Sequence, residues 1–351
     1  MHKIVINNSK IYMKNLINEN IFSNLTTNIY DHVFVITEET VFNIYQDHEI
    51  FHKGFKVVNI KQNQPIKTLE TSQIIINELS NLGCTRKSLI IGFGGGVIMD
   101  FSGFIASIYM RGIDHIFIPT TLLGMVDAAI GGKTGVNTKF SKNLIGTFKN
   151  PEYIYIDSIF LNSLNKKDMI DGFAEIIKYG LIKDKDLFFE SVKNFKTCIN
   201  HKNSKILDNL IKKCCKHKID IVKQDQFEKN HRMILNFGHT IGHALEKCYN
   251  YEHLTHGQAV YYGMNAINFI SWKLNYITDN QFKIIDDFIK QVPLFDIGDL
   301  KVEEVMKNLK FDKKQTWNKN QFILLNDLGS CFITNKVDNA IVKQSLDFII
   351  N

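Results

Sequence analysis

The sequence predicts an α/β fold in two parts, a Rossmann-like N-terminal domain over residues 1–160 and a mostly α-helical C-terminal domain over residues 161–351. Three observations predict it. Short β-branched runs alternate with helical patterns in the first half, the layout of βαβ units. Twelve of the 21 glycines fall between Gly83 and Gly146, so backbone there must turn tightly or approach something closely. Beyond about residue 160 the strand signals nearly vanish and long helical periodicity takes over.

In order, the runs VFVIT (33–37), KVVNI (56–60), SLIIG (88–92), HIFI (115–118) and YIYI (153–156) read as buried parallel strands. Residues 67–82 and 97–110 carry helical periodicity between them. In the second part, helical patterns cover 168–183, 185–225, 239–249, 257–274, 279–290 and 301–310. FILLN (322–326) and CFIT (331–334), joined by Asp327-Leu328-Gly329-Ser330, read as a hairpin.

Composition limits the function classes. Of 351 residues, 44% are apolar and 22% charged, a globular profile, and no apolar run approaches the ~20 residues of a membrane span. MHKIVINNSK is polar and leads into a strand, which gives no sign of a signal peptide, so a cytoplasmic protein is expected. Six cysteines without CxxC spacing argue against a disulfide scaffold or zinc finger. The net charge of +6 is spread along the chain. That excludes a dedicated nucleic-acid surface and leaves anionic small molecules as partners. Of 42 basic residues only Arg86, Arg111 and Arg232 are arginine, so an arginine here marks a place that calls for a planar fork.

The strand at 88–92 runs into Gly92-Phe93-Gly94-Gly95-Gly96 and then a helix, which aims free N–H groups at whatever lies above the strand and suits a pyrophosphate. Val97 stands where the GxGxxG fingerprint would have its third glycine. The following strand ends in Pro119-Thr120-Thr121-Leu122-Leu123, placing two hydroxyls at the carboxyl edge of the sheet, where such sheets bind ligands. VDAAIGGKTGVN (126–137) puts Asp127 and Lys133 in one glycine-rich loop, followed by Lys142-Asn143, a set suited to phosphate oxygens.

In the helical part, His239 and His243 of GHTIGHALE are four apart and share a helix face, His256 opens another helix, and Glu175 lies in GFAEIIKYG. Three of these N and O donors could hold a divalent metal with a position open for substrate. Spacing alone does not choose between the two histidines of the pair. Gly238 and Gly242 beside them are poor helix formers and would be odd on an idle surface.

GGGVIMD, YMRG, PTTLL, VDAAIGGKTGVN, KNLIG, GFAEIIKYG, LNFGHTIGHALE and HGQAV occur in the order and approximate spacing of the 3-dehydroquinate synthases. The chain resembles that family over about residues 30–335. The resemblance implies the same two-domain fold, NAD and one divalent metal, Zn or Co, as cofactors, and the metal ligands Glu175, His239 and His256. It implies catalytic or substrate roles for Asp127, Lys133, Lys178, Lys218, Arg232, Asn236 and His243. Further substrate contacts would come from Asp100, Lys142, Asn143 and one of Lys313 and Lys314, and from Arg111 reaching the site of a second subunit in a homodimer. NAD would lie over Gly95, Gly96 and Val97, beside Thr120, Thr121 and Leu123, with Gln64, Lys67 and Phe160, Leu161, Asn162 and Ser163 completing its pocket. Gln64 and Gln258 stand where the family usually has Glu, and both changes bear on the strength of cofactor binding.

The implied reaction converts 3-deoxy-D-arabino-heptulosonate 7-phosphate to 3-dehydroquinate and phosphate by transient oxidation, elimination, reduction and internal aldol closure, in the shikimate pathway to aromatic amino acids. Another sugar-phosphate cyclase, such as a 2-deoxy-scyllo-inosose synthase, or a metal-dependent polyol dehydrogenase are the alternatives. A catalytically silent scaffold is disfavoured by the intact metal ligands.

Overall fold

The computed structural model describes residues 2–6, 9–13, 29–139, 141–202, 204–310 and 321–351. Two compact units emerge: residues up to Asn165 together with Leu207–Lys223, and Lys166–Ile206 together with Gln224–Asn351.

The first unit is built on a seven-stranded sheet. Its strands are β1 (His2–Ile6), β2 (Ser9–Met13), β3 (Val33–Glu38), β4 (Lys56–Ile60), β5 (Leu89–Gly94), β6 (Asp114–Pro119) and β9 (Tyr153–Ile156), in the order β1-β2-β9-β6-β5-β3-β4. All pairings are parallel except β1 with β2. Every residue of β5 is buried, as are Val33 to Thr37 of β3, which is why these runs read as continuous apolar stretches in place of alternating ones. Helices α1 (Glu39–Tyr45), α2 (Leu69–Asn81) and α3 (Gly96–Ile108) complete the βαβ frame.

Where the sequence suggests only a glycine loop, β7 (Lys133–Val136) pairs antiparallel with β8 (Ile145–Phe148). The glycines hide this strand pair. A Cβ on Gly135 would sit 2.7 Å from the Ile145 carbonyl oxygen, so the two backbones approach closely only because side chains are missing.

The second unit is helical: α4 (Lys166–Lys183), α5 (Lys185–His201), α7 (His239–Cys248), α8 (His256–Lys273), α9 (Asp279–Ile289), α10 (Val302–Lys310) and α11 (Asn339–Ile350), with a hairpin of β10 (Phe322–Asp327) and β11 (Ser330–Thr334). The sequence reading did not foresee α11. The expected single run over 185–225 is two helices, α5 and α6 (Ser204–Gln224). Lys202 takes the left-handed conformation (φ 45°, ψ 46°) and its N–H closes α5 on the Cys198 carbonyl, a stop that no glycine announces.

Most of α6, Leu207–Lys223, groups with the first unit. Its buried face carries Cys215, whose thiol donates to the Met125 carbonyl, and Lys218, which pairs with Asp127. Helical periodicity reveals a buried face and not its partner. Among the described residues no helix is long and apolar enough to cross a membrane.

Candidate active site

In the first unit, β5 delivers the chain to Gly95, which precedes α3 in extended backbone and offers no side-chain cap. The first N–H groups of α3 are therefore left for a ligand, an anion above all. Two glycines here have a packing reason as well: a Cβ on Gly95 would meet the Thr121 methyl at 3.0 Å, and one on Gly96 would meet Ala128 at 3.1 Å. Val97 projects beside them with 47% of its surface exposed. Thr120 is bound to the strand through its N–H on the Gly94 carbonyl, and the Thr121 hydroxyl accepts the Gly124 N–H. Leu123 is half-buried and leads into a π-helical turn, Gly124–Ala128, that carries Asp127.

Two ion pairs flank this turn. Lys67 Nζ lies 2.5 Å from Asp100 Oδ2 and also donates to Asn143 Oδ1, while Lys218 Nζ lies 2.7 Å from Asp127 Oδ1. Burial pushes the Asp100 carboxyl up, against the pull of Lys67. The structure thus brings one cofactor candidate, Lys67, together with two substrate candidates, Asp100 and Asn143. Lys142 is half-buried next to Asn143, and Lys133 opens β7 with its side chain exposed. Gln64 is half-buried in the turn after β4, a turn held by Glu39, which accepts from Lys61 Nζ and from the Gln62 N–H.

Phe160 and Leu161 are core residues. Phe160 packs edge-on against Phe93 and Tyr45, and its carbonyl accepts the Tyr45 hydroxyl at 2.8 Å. Their side chains are thus part of the core, while Asn162 and Ser163 are exposed. Arg111 is exposed in left-handed backbone (φ 73°) directly after Met110 (φ 48°).

In the second unit, α4 places Glu175 and Lys178 one turn apart with side chains 1% and 2% exposed. Lys178 Nζ sits against Glu175 Oε2 as an ion pair. Glu175 Oε1 is buried without a hydrogen-bond partner and lies 3.5 Å from His239 Nε2 and 3.9 Å from His256 Nε2. Each of these three residues offers a donor atom within 4.8 Å of the others, so together they could hold a metal ion. One carboxylate oxygen and two imidazole nitrogens suit Zn²⁺ or Co²⁺.

Burial, reinforced by Lys178, holds His239 well below the usual imidazole pKa and so neutral. For His256, burial is outweighed by Glu246, Glu175 and Asp171, and its pKa is raised. The His243 ring lies 5.4 Å from that of His239 and 5.9 Å from that of His256. Arg232, only 2% exposed, donates from Nη1 to the Gln226 carbonyl at 2.6 Å, and Asn236 Nδ2 donates to Glu228 at 2.6 Å. Lys313 and Lys314 lie outside the described residues.

Glycine locks the histidine helices together. A Cβ on Gly242 would meet the Ala259 carbonyl at 2.9 Å, and one on Gly257 would lie 2.4 Å from Asp171 Cα. The glycines that looked odd beside the histidines are thus the contact points of α7 with α8, and Gly257 is that of α8 with α4. Gln258 also has a local duty: its side chain accepts the Thr255 N–H in the capping box that starts α8, the helix His256 opens.

The sequence reading missed four carboxylates. Glu246 approaches His256, Asp171 accepts from the Thr255 hydroxyl and the Gln258 N–H, Glu228 holds Asn236, and Glu39 holds the Gln64 turn. Only Glu246 left a readable signal, since it shares a helix face with His239 and His243 at i+7 and i+3.

Comparison with known proteins finds relatives along nearly the whole chain. Residues 57–171 match the family model for the 3-dehydroquinate synthase N-terminal domain and residues 172–315 that for its C-terminal domain. The 3-dehydroquinate synthase of Thermoanaerobacter pseudethanolicus is 40% identical over 316 residues, 88% of each chain. That of Alkaliphilus oremlandii is 36% identical over 353 residues, covering 98% of this chain and 97% of its own. Among solved structures, a 2-epi-5-epi-valiolone synthase from Streptomyces hygroscopicus with NAD⁺ and Zn²⁺ bound superposes with a TM-score of 0.87 at 23% identity, covering 97% of this chain and 96% of its own. A 2-deoxy-scyllo-inosose synthase complexed with carbaglucose-6-phosphate, NAD⁺ and Co²⁺ does so with 0.84 at 24%, over the same shares. An iron-containing alcohol dehydrogenase shares the fold at 0.70 and 12% identity, over 97% of each chain. With relatives this similar over nearly the whole length and both family models matched in sequence, the chain belongs to the 3-dehydroquinate synthase family.

Proposed function

We propose that the protein converts 3-deoxy-D-arabino-heptulosonate 7-phosphate to 3-dehydroquinate and phosphate, a lyase reaction in aromatic amino-acid biosynthesis that uses NAD catalytically. The observation that carries this reading is the convergence of Glu175, His239 and His256 around a buried, unsatisfied carboxylate oxygen in a chain of this family. NAD held over Gly95, Gly96 and Val97 would supply reversible hydride acceptance at C5 of the substrate, and a divalent ion held by Glu175, His239 and His256 would supply Lewis acidity there.

The residues of the chain bind, orient and move protons. The uncapped start of α3 at Gly95, Gly96 and Val97 receives the pyrophosphate, with Thr120, Thr121, Leu123, Gln64, Lys67 and the 160–163 segment around it. Lys67 fixes Asp100 and Asn143, and Lys218 fixes Asp127, so these polar groups meet a substrate already oriented. Lys133, Lys142, Arg232, Asn236 and one of Lys313 and Lys314 balance the charge of carboxylate and phosphate. Lys178 pairs with Glu175 Oε2 and leaves Oε1 on the side of His239 and His256. His243, the imidazole outside the Glu175 group, is left to exchange a proton with a substrate hydroxyl. Oxidation at C5 acidifies the neighbouring C–H, and loss of that proton expels phosphate. Reduction, ring opening and aldol closure follow.

The protein is further proposed to act in the cytoplasm as a homodimer in which Arg111 serves the partner's site. Two consecutive non-glycine residues at positive φ, Met110 and Arg111, support a special placement of that side chain, since such backbone costs on the order of 1 kcal/mol or more at each position.

The test supplies the sugar acid phosphate, Zn²⁺ or Co²⁺, and NAD at a tenth of the substrate concentration. Equimolar phosphate and 3-dehydroquinate, several-fold in excess of NAD and without accumulating NADH, are expected. One NADH per product without phosphate would make the protein a polyol dehydrogenase and overturn the reading.

A further inference from the structure

We infer that Glu246 is the positioning residue of the metal centre: its carboxylate accepts a hydrogen bond from the Nδ1–H of His256 and thereby presents the Nε2 lone pair toward Glu175 and His239. This rests on the reading that Glu175, His239 and His256 hold the ion.

The two histidines offer the same nitrogen by different means. His239 Nδ1 lies 3.0 Å from the carbonyl of Phe237, two residues earlier, a local partner that leaves Nε2 facing Glu175 Oε1. His256 also presents Nε2 to that oxygen, but it opens α8, and the partner of its Nδ1 comes from another helix, Glu246 Oε2 at 3.4 Å. A neutral imidazole carries one proton, so an acceptor at Nδ1 decides that Nε2 is the ligand atom. Glu246 is 1% exposed, and a carboxylate is costly to bury unless a partner returns that energy. Its position on α7, seven residues after His239 and three after His243, puts one helix in charge of one ligand directly and of another through its ring.

His243, Glu246 and His256 also lie close enough to hold an ion between them. An ion there in addition to one at Glu175 would need His256 as a doubly deprotonated bridge. Positioning asks for one proton in its ordinary place.

The experiment titrates Co²⁺ into apoprotein against a chromophoric chelator and records the visible d–d band, for wild type, Glu246→Met, Glu246→Gln and His256→Ala. One ion per chain is expected in wild type. Glu246→Met should bind it 10- to 100-fold more weakly with a shifted band, the range typical for loss of an outer carboxylate. Glu246→Gln, which keeps a weaker neutral acceptor, should recover part of the loss while staying roughly threefold or more below wild type. Affinity within twofold of wild type and an unchanged band in Glu246→Met would overturn the inference. So would two ions in wild type with one lost on substitution, since Glu246 would then be a ligand. If Glu246→Met does not fold, the same criteria applied to Glu246→Gln decide. Undiminished affinity in His256→Ala would instead refute the metal-site reading itself.

Discussion

Lys218 and Asp127 clamp each other across 91 residues of sequence: the ammonium lies 2.7 Å from Asp127 Oδ1 and also donates to the backbone carbonyl of the same residue. One side chain thus fixes both the acid and the π-helical turn that carries it. Lys218 is 5% exposed and Asp127 29%, so the pair is only partly shielded from water. Lys218→Met should therefore destabilise the protein by about 1–3 kcal/mol, below the cost of breaking a fully buried pair. Urea denaturation of Lys218→Met, Asp127→Asn and the double variant checks this. The double variant should be less damaged than the sum of the singles, and strict additivity would mean the contact contributes nothing.

Lys67 is the cation that pairs with the half-buried Asp100 carboxyl and orients Asn143. In Lys67→Met, the Asp100 carboxyl should be pushed up further, since the cation that lowers it is gone, and NAD affinity should fall about tenfold, one charge-assisted hydrogen bond's worth. Fluorescence titration with NAD reads the outcome, and an unchanged dissociation constant would remove Lys67 from the cofactor site.

His115, on β6, is fully buried with both ring nitrogens unpartnered, and burial presses its pKa down to about 3. The unfolded chain takes up the proton near pH 6.5 while the folded chain refuses it. Stability is therefore unaffected above pH 6.5 and falls as pH drops from there toward 3, by about 1.4 kcal/mol per unit from this residue alone. His115→Phe should flatten the acid limb of a stability–pH curve by that slope. An unaltered limb would show that His115 does not titrate in this way.

Gly257→Ala should be among the most damaging single-methyl additions, because the new Cβ would lie 2.4 Å from the backbone of Asp171 and force α8 away from α4. A loss of roughly 1–3 kcal/mol is expected from overpacking, and metal affinity should fall with it, since His256 and Glu175 ride on those two helices. Thermal melts and Co²⁺ titration read both effects. A variant as stable and as metal-avid as wild type would contradict the close approach.

Legibility in the sequence followed physics. The parallel strands could be read because Val33 to Ile36 and Leu89 to Gly94 are buried on both faces and carry no polar side chain. The break between α5 and α6 could not, because lysine at a left-handed position carries no composition signal. Likewise β7 and β8 hid behind the glycines that let them approach. At the candidate site, helical spacing paired His239 with His243, whereas the resemblance and the structure group His239 with His256 and Glu175 from other helices. Periodicity is blind to such long-range convergence. The capping role of Gln258 was likewise not read, because the resemblance drew attention to its lost charge and not to its place three residues after Thr255.

The proposed chemistry requires that Glu175, His239 and His256 hold a divalent ion. Its most direct test is metal analysis of purified wild type and His239→Ala, with phosphate release from the sugar acid phosphate measured on the same samples. One divalent ion per chain and turnover in wild type are predicted, with neither in a folded His239→Ala protein. A His239→Ala protein that kept its ion and its turnover would contradict the account.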